Sequence, residues 1–304
     1  MVKRLKVKGL RVFYHVMTRT AQQEYYLTDP EMKAYFEKLL SFFGQIYFVK
    51  ILSYTVLSNH YHIALEINAP EMDVADIQRR YELAQTRLKR PRKWQEARAD
   101  HFYERYTNLS MFMWEINHAM AVTHNKRKET KGHLWGGRFK SVVVENGQAL
   151  LNVMAYIELN AVRANLVSDP ADFYNSSVGH IKADLDAGKT PKAPPVDCLN
   201  ALPEAIRATT YLAWIRYVAL TCIDPSLGKQ KVPLQFTASG WSVDMGAIIE
   251  ALATRAPADW GCSAYGTKAF SRKVLIGAGR LIPLIPEKPA REGPPKQGTT
   301  TEVA

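Results

Sequence analysis

The chain has 304 residues, 47% of them hydrophobic, with a formal charge of +11 at pH 7 and an isoelectric point of about 9.4. That hydrophobic share supports an ordinary core and excludes a disordered scaffold, while the length exceeds one average domain. The positive charge points to a polyanionic partner, nucleic acid first among them, with a basic enzyme of another kind as the alternative.

The basic start carries only a short apolar run at 12–17, interrupted by His15. This is not the apolar region of a secretory leader, and no stretch reaches membrane-spanning length. Three cysteines, Cys198, Cys222 and Cys262, are widely spaced with no CxxC pair. They predict neither a disulfide framework nor a zinc site, so a soluble, cytoplasmic, nucleoid-associated protein is expected.

Aromatic and β-branched residues at 11–18 predict a first strand. A helix follows, capped by Thr28 or Asp29, with Pro30 in its first turn, Met32, Tyr35, Phe36, Leu39, Leu40 and Phe43 on one face, and Gly44 at its end. Residues 46–57 and 61–67 read as two strands separated by Ser58-Asn59, a βαββ opening that predicts an antiparallel sheet with helices packed on it. The polar stretch 70–107 holds Arg79, Arg80, Arg87, Lys89, Arg90, Arg92 and Lys93 beside Trp94, and reads as a helical arm or a loop. Such a cluster can grip phosphates and stack a base, or be a solvated charged helix. Helical spacing returns at 108–124, a basic connection spans 126–131, and 134–144 looks like a turn feeding a strand. A further helix runs from a cap at Asn146 to about residue 164. Residues 189–195 have linker composition, a helix is expected around 203–221, and the tail from 286 is rich in Pro, Gly, Lys and Thr.

Two short constellations carry chemistry. In Asn59-His60-Tyr61-His62-Ile63 the histidines are two apart, so on a strand both imidazoles share one face and Tyr61 turns away. Neutral imidazole is a common metal ligand, yet two strand histidines with structural hydrogen bonds are the plainer alternative. The apolar surroundings weigh toward function, because burying two polar rings without partners is costly. In Met154-Ala155-Tyr156-Ile157-Glu158-Leu159-Asn160, Tyr156 and Asn160 are four apart and neighbours on a helix, with Asn152 and Arg163 extending a polar stripe. A surface tyrosine packed on its own helix is the alternative here. Taken together, the two sets describe a phenol that needs help to ionise, since its ordinary pKa is about 10. Two imidazoles and an amide oxygen could hold Mg²⁺ or Mn²⁺ beside it.

The strand NHYHIALE, the segment GHLWGGRFKS and the helix YIELNAVRANLV, in that order, resemble the REP-associated tyrosine transposases, within the HUH single-tyrosine transposase superfamily. Tyr14-His15-Val16 and Ser176-Ser177 also match family positions, and the likeness spans residues 8–180. The resemblance implies an α+β fold, a ferredoxin-like antiparallel sheet with packed helices, plus a smaller, mainly helical C-terminal part. It implies that His60 and His62 are metal ligands, that Asn160 completes the metal site, and that Tyr156 is the nucleophile on single-stranded or hairpin DNA. Members form a 5′-phosphotyrosine link and leave a free 3′-OH. The family's usual Asn-Pro is Asn160-Ala161 here, so the bend after the helix is expected to differ. Arg138, Lys140 and Arg163 are the expected DNA contacts, the first two flanking Phe139 on a strand. Expected boundaries are a catalytic domain at 1–185, a linker at 186–199, a helical region of open role at 200–285 and a disordered tail at 286–304. A hairpin-binding protein that does not cut, or an RNA endonuclease, are the competing expectations.

Overall fold

A computed structural model describes residues 11–195, 197–200, 202–222 and 264–265. Expectations for the start 1–10, Cys262 and the tail 286–304 lie outside these, as do 223–263 and 266–285.

The first strand, β1 (Val12–Arg19), leads into helix α1 (Pro30–Ile46). Asp29 caps α1 by accepting from Glu31 N at 2.9 Å, and Pro30 stands where a missing N–H costs nothing. The helix does not stop at Gly44. It runs on to Ile46, whose side chain is buried, so the strand expected from 46 begins later, as β2 (Val49–Val56). A tight turn through Ser58-Asn59 returns the chain as β3 (His60–Ile67).

Three helices intervene before the fourth strand: α2 (Val74–Gln85), α3 (Ala99–Tyr106) and α4 (Leu109–Lys128). The supposed basic connection is in part the last turn of α4, where Lys126, Arg127 and Lys128 meet the negative end of the helix dipole. Strand β4 (Lys140–Val144) is followed by α5 (Gln148–Glu158), α6 (Asn160–Arg163), α7 (Ser177–Asp186), α8 (Asp197–Asn200) and α9 (Glu204–Cys222). A two-residue strand, β5 (Ala264–Tyr265), lies parallel to β4.

The first four strands are antiparallel in the order β2-β3-β1-β4, the ferredoxin-like arrangement of an α+β fold. Each sheet face has its own core. On one, Tyr14, Val16, Tyr61, Ile63 and Leu65 pack under α1 and α4, with Phe36, Phe43, Phe112 and Met120. On the other, Phe13, Ala64 and Val144 pack under α5, α7 and α9, with Met154, Ile157, Tyr211 and Ile215. The outer edge of β2 is covered by the chain entering α7: Tyr54 N donates to Ser177 Oγ at 2.7 Å and Val56 N to Asn175 O at 2.9 Å. Gly179 is required there, since a Cβ would stand 2.1 Å from Phe173 O.

The basic stretch 79–94 resolves into the end of α2 and a loop whose cations Arg87, Lys89, Arg90, Arg92 and Lys93 are exposed. Arg80 sends its guanidinium to the carbonyls of Gln45, Ile46 and Tyr47 at 3.1–3.2 Å, and Trp94 packs against Tyr81 and Phe102. Trp94 is therefore part of the helical layer rather than a ring held out for stacking.

Candidate active site

Strand alternation does the first sorting. Tyr61 points into the α1–α4 core, where its hydroxyl donates to Asn117 Oδ1 at 2.6 Å and its ring meets Phe36. His60 and His62 point to the opposite face, their ring centroids 5.1 Å apart. Register places His62 opposite Met17 of β1 and Thr55 of β2, and His60 opposite Arg19. The same face of β1 carries His15, opposite Ala64. Its Nε2 lies 2.9 Å from His62 Nδ1, and the two rings stack at 5.0 Å and 15°. His15 and His62 are both buried, at 3% and 2% exposure.

Helix α5 crosses above this row and lowers Tyr156 onto it. The phenol ring stands edge-on to His62 at 5.7 Å and to His15 at 6.0 Å between centroids. A tyrosine packed only on its own helix would make neither contact. The helix expected to run unbroken to residue 164 is interrupted at Leu159 (φ −81°, ψ 0°), so Tyr156 lies in α5 and Asn160 opens α6. No proline is needed for this break. Asn160 spans it by donating from Nδ2 to Tyr156 O at 2.8 Å.

The histidines are held neutral. Burial pushes His15 down to about 3 and, with the charge of Arg19, His60 to about 4. His62 falls well below its ordinary value, through burial first and then its neighbours His15, His60 and Arg19. Burial raises the Tyr156 phenol, opposed by Arg163, Arg19 and the Asn160 side chain, so the resting phenol keeps its proton.

The proton on His60 can be placed. Asn59 Nδ2 donates to Gln23 O at 3.0 Å, which turns Asn59 Oδ1 toward His60 Nδ1, 2.6 Å away. An amide oxygen only accepts, so Nδ1 bears the hydrogen and Nε2 keeps its lone pair. That is the ligand form of imidazole. Asn160, whose Nδ2 donates to the Tyr156 carbonyl, carries an amide oxygen that could join such a ligand set. Two imidazoles and one amide oxygen suit a divalent cation with coordination positions left open. Among the described residues no three His, Cys, Asp or Glu side chains gather as a metal site.

Residues 10–111 match the family model for IS200-like transposases. The matched segment spans β1 to the first turn of α4 and contains His15, His60 and His62; it ends before Tyr156 and Asn160. No curated protein matches the chain. A solved structure of a REP-associated tyrosine transposase bound to a REP hairpin shares 16% identity with a TM-score of 0.39, the match covering 63% of this chain and 88% of that one.

Around this histidine–tyrosine cluster the other expected residues divide. Arg163 lies over the Tyr156 ring, 5.1 Å from its centroid. Lys140 pairs with Met17, which pairs with His62, so it extends the same cross-sheet row to the β4 side and is exposed. Arg138 precedes β4 and does not share a strand with Lys140, because the chain bends there. His118 is exposed and stacked on Trp114, His124 is buried beside Tyr26, and His133 is exposed. His15, Asn59 and Arg19 are site residues to which sequence reasoning gave no role. The sequence signal for His15 was a polar ring in an apolar strand, but only register reveals which residue it meets.

Proposed function

We propose that this protein is a tyrosine transposase acting on single-stranded or hairpin DNA. The carrying observation is the meeting of the Tyr156 ring with the His15–His62 pair across the interface between α5 and the sheet, in a chain with an IS200-like transposase segment. In this reading Tyr156 Oη attacks a backbone phosphorus, the bond from phosphorus to the 3′ oxygen breaks, and that oxygen leaves as a 3′-OH after gaining a proton. The product is a 5′-phosphotyrosine, which stores the cleaved bond for rejoining to another strand. His60 and His62, with Asn160, would hold Mg²⁺ or Mn²⁺, which when bound supplies positive charge to the phosphate oxygens. Arg163 lies over the nucleophile's ring and Arg19 beside His60, and both favour the ionised phenol and an incoming phosphate. Lys140, in the row of His62, and Arg138, just before β4, would contact the DNA backbone.

The test is a denaturing gel of the protein with a labelled hairpin oligonucleotide and Mn²⁺, beside lanes with EDTA and with an RNA hairpin. Wild type should give a covalent protein–DNA band that disappears in Tyr156→Phe and in EDTA, while the variant retains most DNA binding. A band persisting in the variant would remove Tyr156 from the chemistry. Binding with no band in wild type would indicate a hairpin-binding protein.

A further inference from the structure

His15 is not among the ligands or nucleophile of the proposed reaction, yet its ring nitrogen lies within hydrogen-bond distance of His62. Its Nε2 stands 2.9 Å from His62 Nδ1 in a buried setting, and the nearly parallel rings fix both planes. One hydrogen lies between these nitrogens, and its owner decides the state of His62. If His15 supplies it, His62 carries its own hydrogen on Nε2 and offers no lone pair beyond the contact. If His62 supplies it from Nδ1, its Nε2 is bare.

We propose that His15 is a positioning residue that accepts a hydrogen bond from His62 Nδ1–H and holds the His62 Nε2 lone pair available to a divalent cation. The neighbouring histidine supports this direction. Asn59 already sets His60 in the Nδ1–H form through a contact of the same type, with an acceptor placed against Nδ1. Both imidazoles would then present the same nitrogen, as two ligands for one ion require, each oriented by an outer acceptor. The two acceptors come from different places: the turn before β3 for His60, and the neighbouring strand β1 for His62.

The proposal rests on the cation site described under the proposed function, and its test separates the two. Nitrogen-15 spectra of histidine-labelled, metal-free full-length protein near pH 7.5 report the tautomer directly. His62 should appear protonated at Nδ1 in wild type, and an Nε2–H form would overturn the proposal whether or not a cation binds. Mn²⁺ titration followed by electron paramagnetic resonance then compares wild type with His15→Phe, which keeps a buried ring, and His15→Gln, whose Oε1 can accept where Nε2 does. His15→Phe should weaken Mn²⁺ binding by about 10- to 100-fold, and His15→Gln should recover most of the loss. Unchanged affinity in His15→Phe, or equal loss in both folded variants, would overturn it. If wild type binds no Mn²⁺, the cation reading fails and the tautomer spectrum alone decides the role of His15.

Discussion

Two residues from Tyr156, on the side of α5 turned away from the histidines, Glu158 has no exposed surface. It accepts from Tyr211 Oη at 3.0 Å and from Val178 N at 3.3 Å. Burial outweighs these donors and pushes its carboxyl up to about 8, so near neutrality it is chiefly an uncharged acid. The folded state thus holds a proton that the unfolded chain releases near 4.5. The sign follows: Glu158's contribution to stability is full below about pH 4.5 and is lost as pH rises through about 8. Glu158→Gln, whose amide nitrogen can donate to the Tyr211 oxygen, should flatten that decline and be more stable than wild type above pH 8, by a margin on the order of a few kcal/mol. Urea unfolding of both proteins between pH 5 and 9 checks this; parallel curves would show that the carboxyl does not titrate between the two states. At this scale sequence went only part of the way. That His60 and His62 share a face and that Tyr156 could meet them was legible, because spacing on strand and helix fixes which way side chains point. Asn59 and His15 were not, because their importance lies in which nitrogen they face, and that requires the turn and the register.

Among the elements, α1 and α2 are joined through one side chain. Arg80 reaches three carbonyls at the end of α1, pairs with Asp76 at 2.7 Å, and lies 4.0 Å over the Phe48 ring. Arg80→Ala should cost about 2–3 kcal/mol by removing charge-assisted bonds and stacking together. Lysine should recover little, because a point charge cannot serve three carbonyls and a ring. A urea midpoint for Arg80→Ala within error of wild type would show that this joint is dispensable. Sequence pattern located α1, β2 and β3 through caps and alternation, with α1 running two residues past Gly44 because Ile46 still has core to fill. Pattern did not reveal the break at Leu159. No proline or glycine marks it, and the helical spacing of polar and apolar residues continues through it, which argues for one continuous helix. Within the charge cluster at 79–94, composition could not single out Arg80, because it cannot tell a cation aimed at solvent from one closing a neighbouring helix.

Taken as one body, the protein has two helical layers with separate tasks. The α1–α4 layer stiffens the sheet, and the α5 layer delivers the phenol. With a charge of +11, binding to DNA should be strongly salt-dependent, weakening by at least about tenfold between 50 and 200 mM salt if several phosphates are neutralised. Fluorescence anisotropy with a labelled hairpin measures this, and a flat response would argue against a phosphate-gripping surface. The sheet order was implied by the family likeness and the βαββ opening, whereas the joining of α9 to the α5 core was not legible, because nothing in the helix's own sequence says what it covers. The alternation along β3 reaches further than the placement of two rings. Imidazoles and core aromatics interleave residue by residue, so adding or losing a single residue in the short Ser58-Asn59 reversal would exchange the two rows, burying imidazoles among phenylalanines and turning Tyr61 toward α5. The length of that reversal therefore matters to the histidine–tyrosine cluster as much as the side chains it aligns.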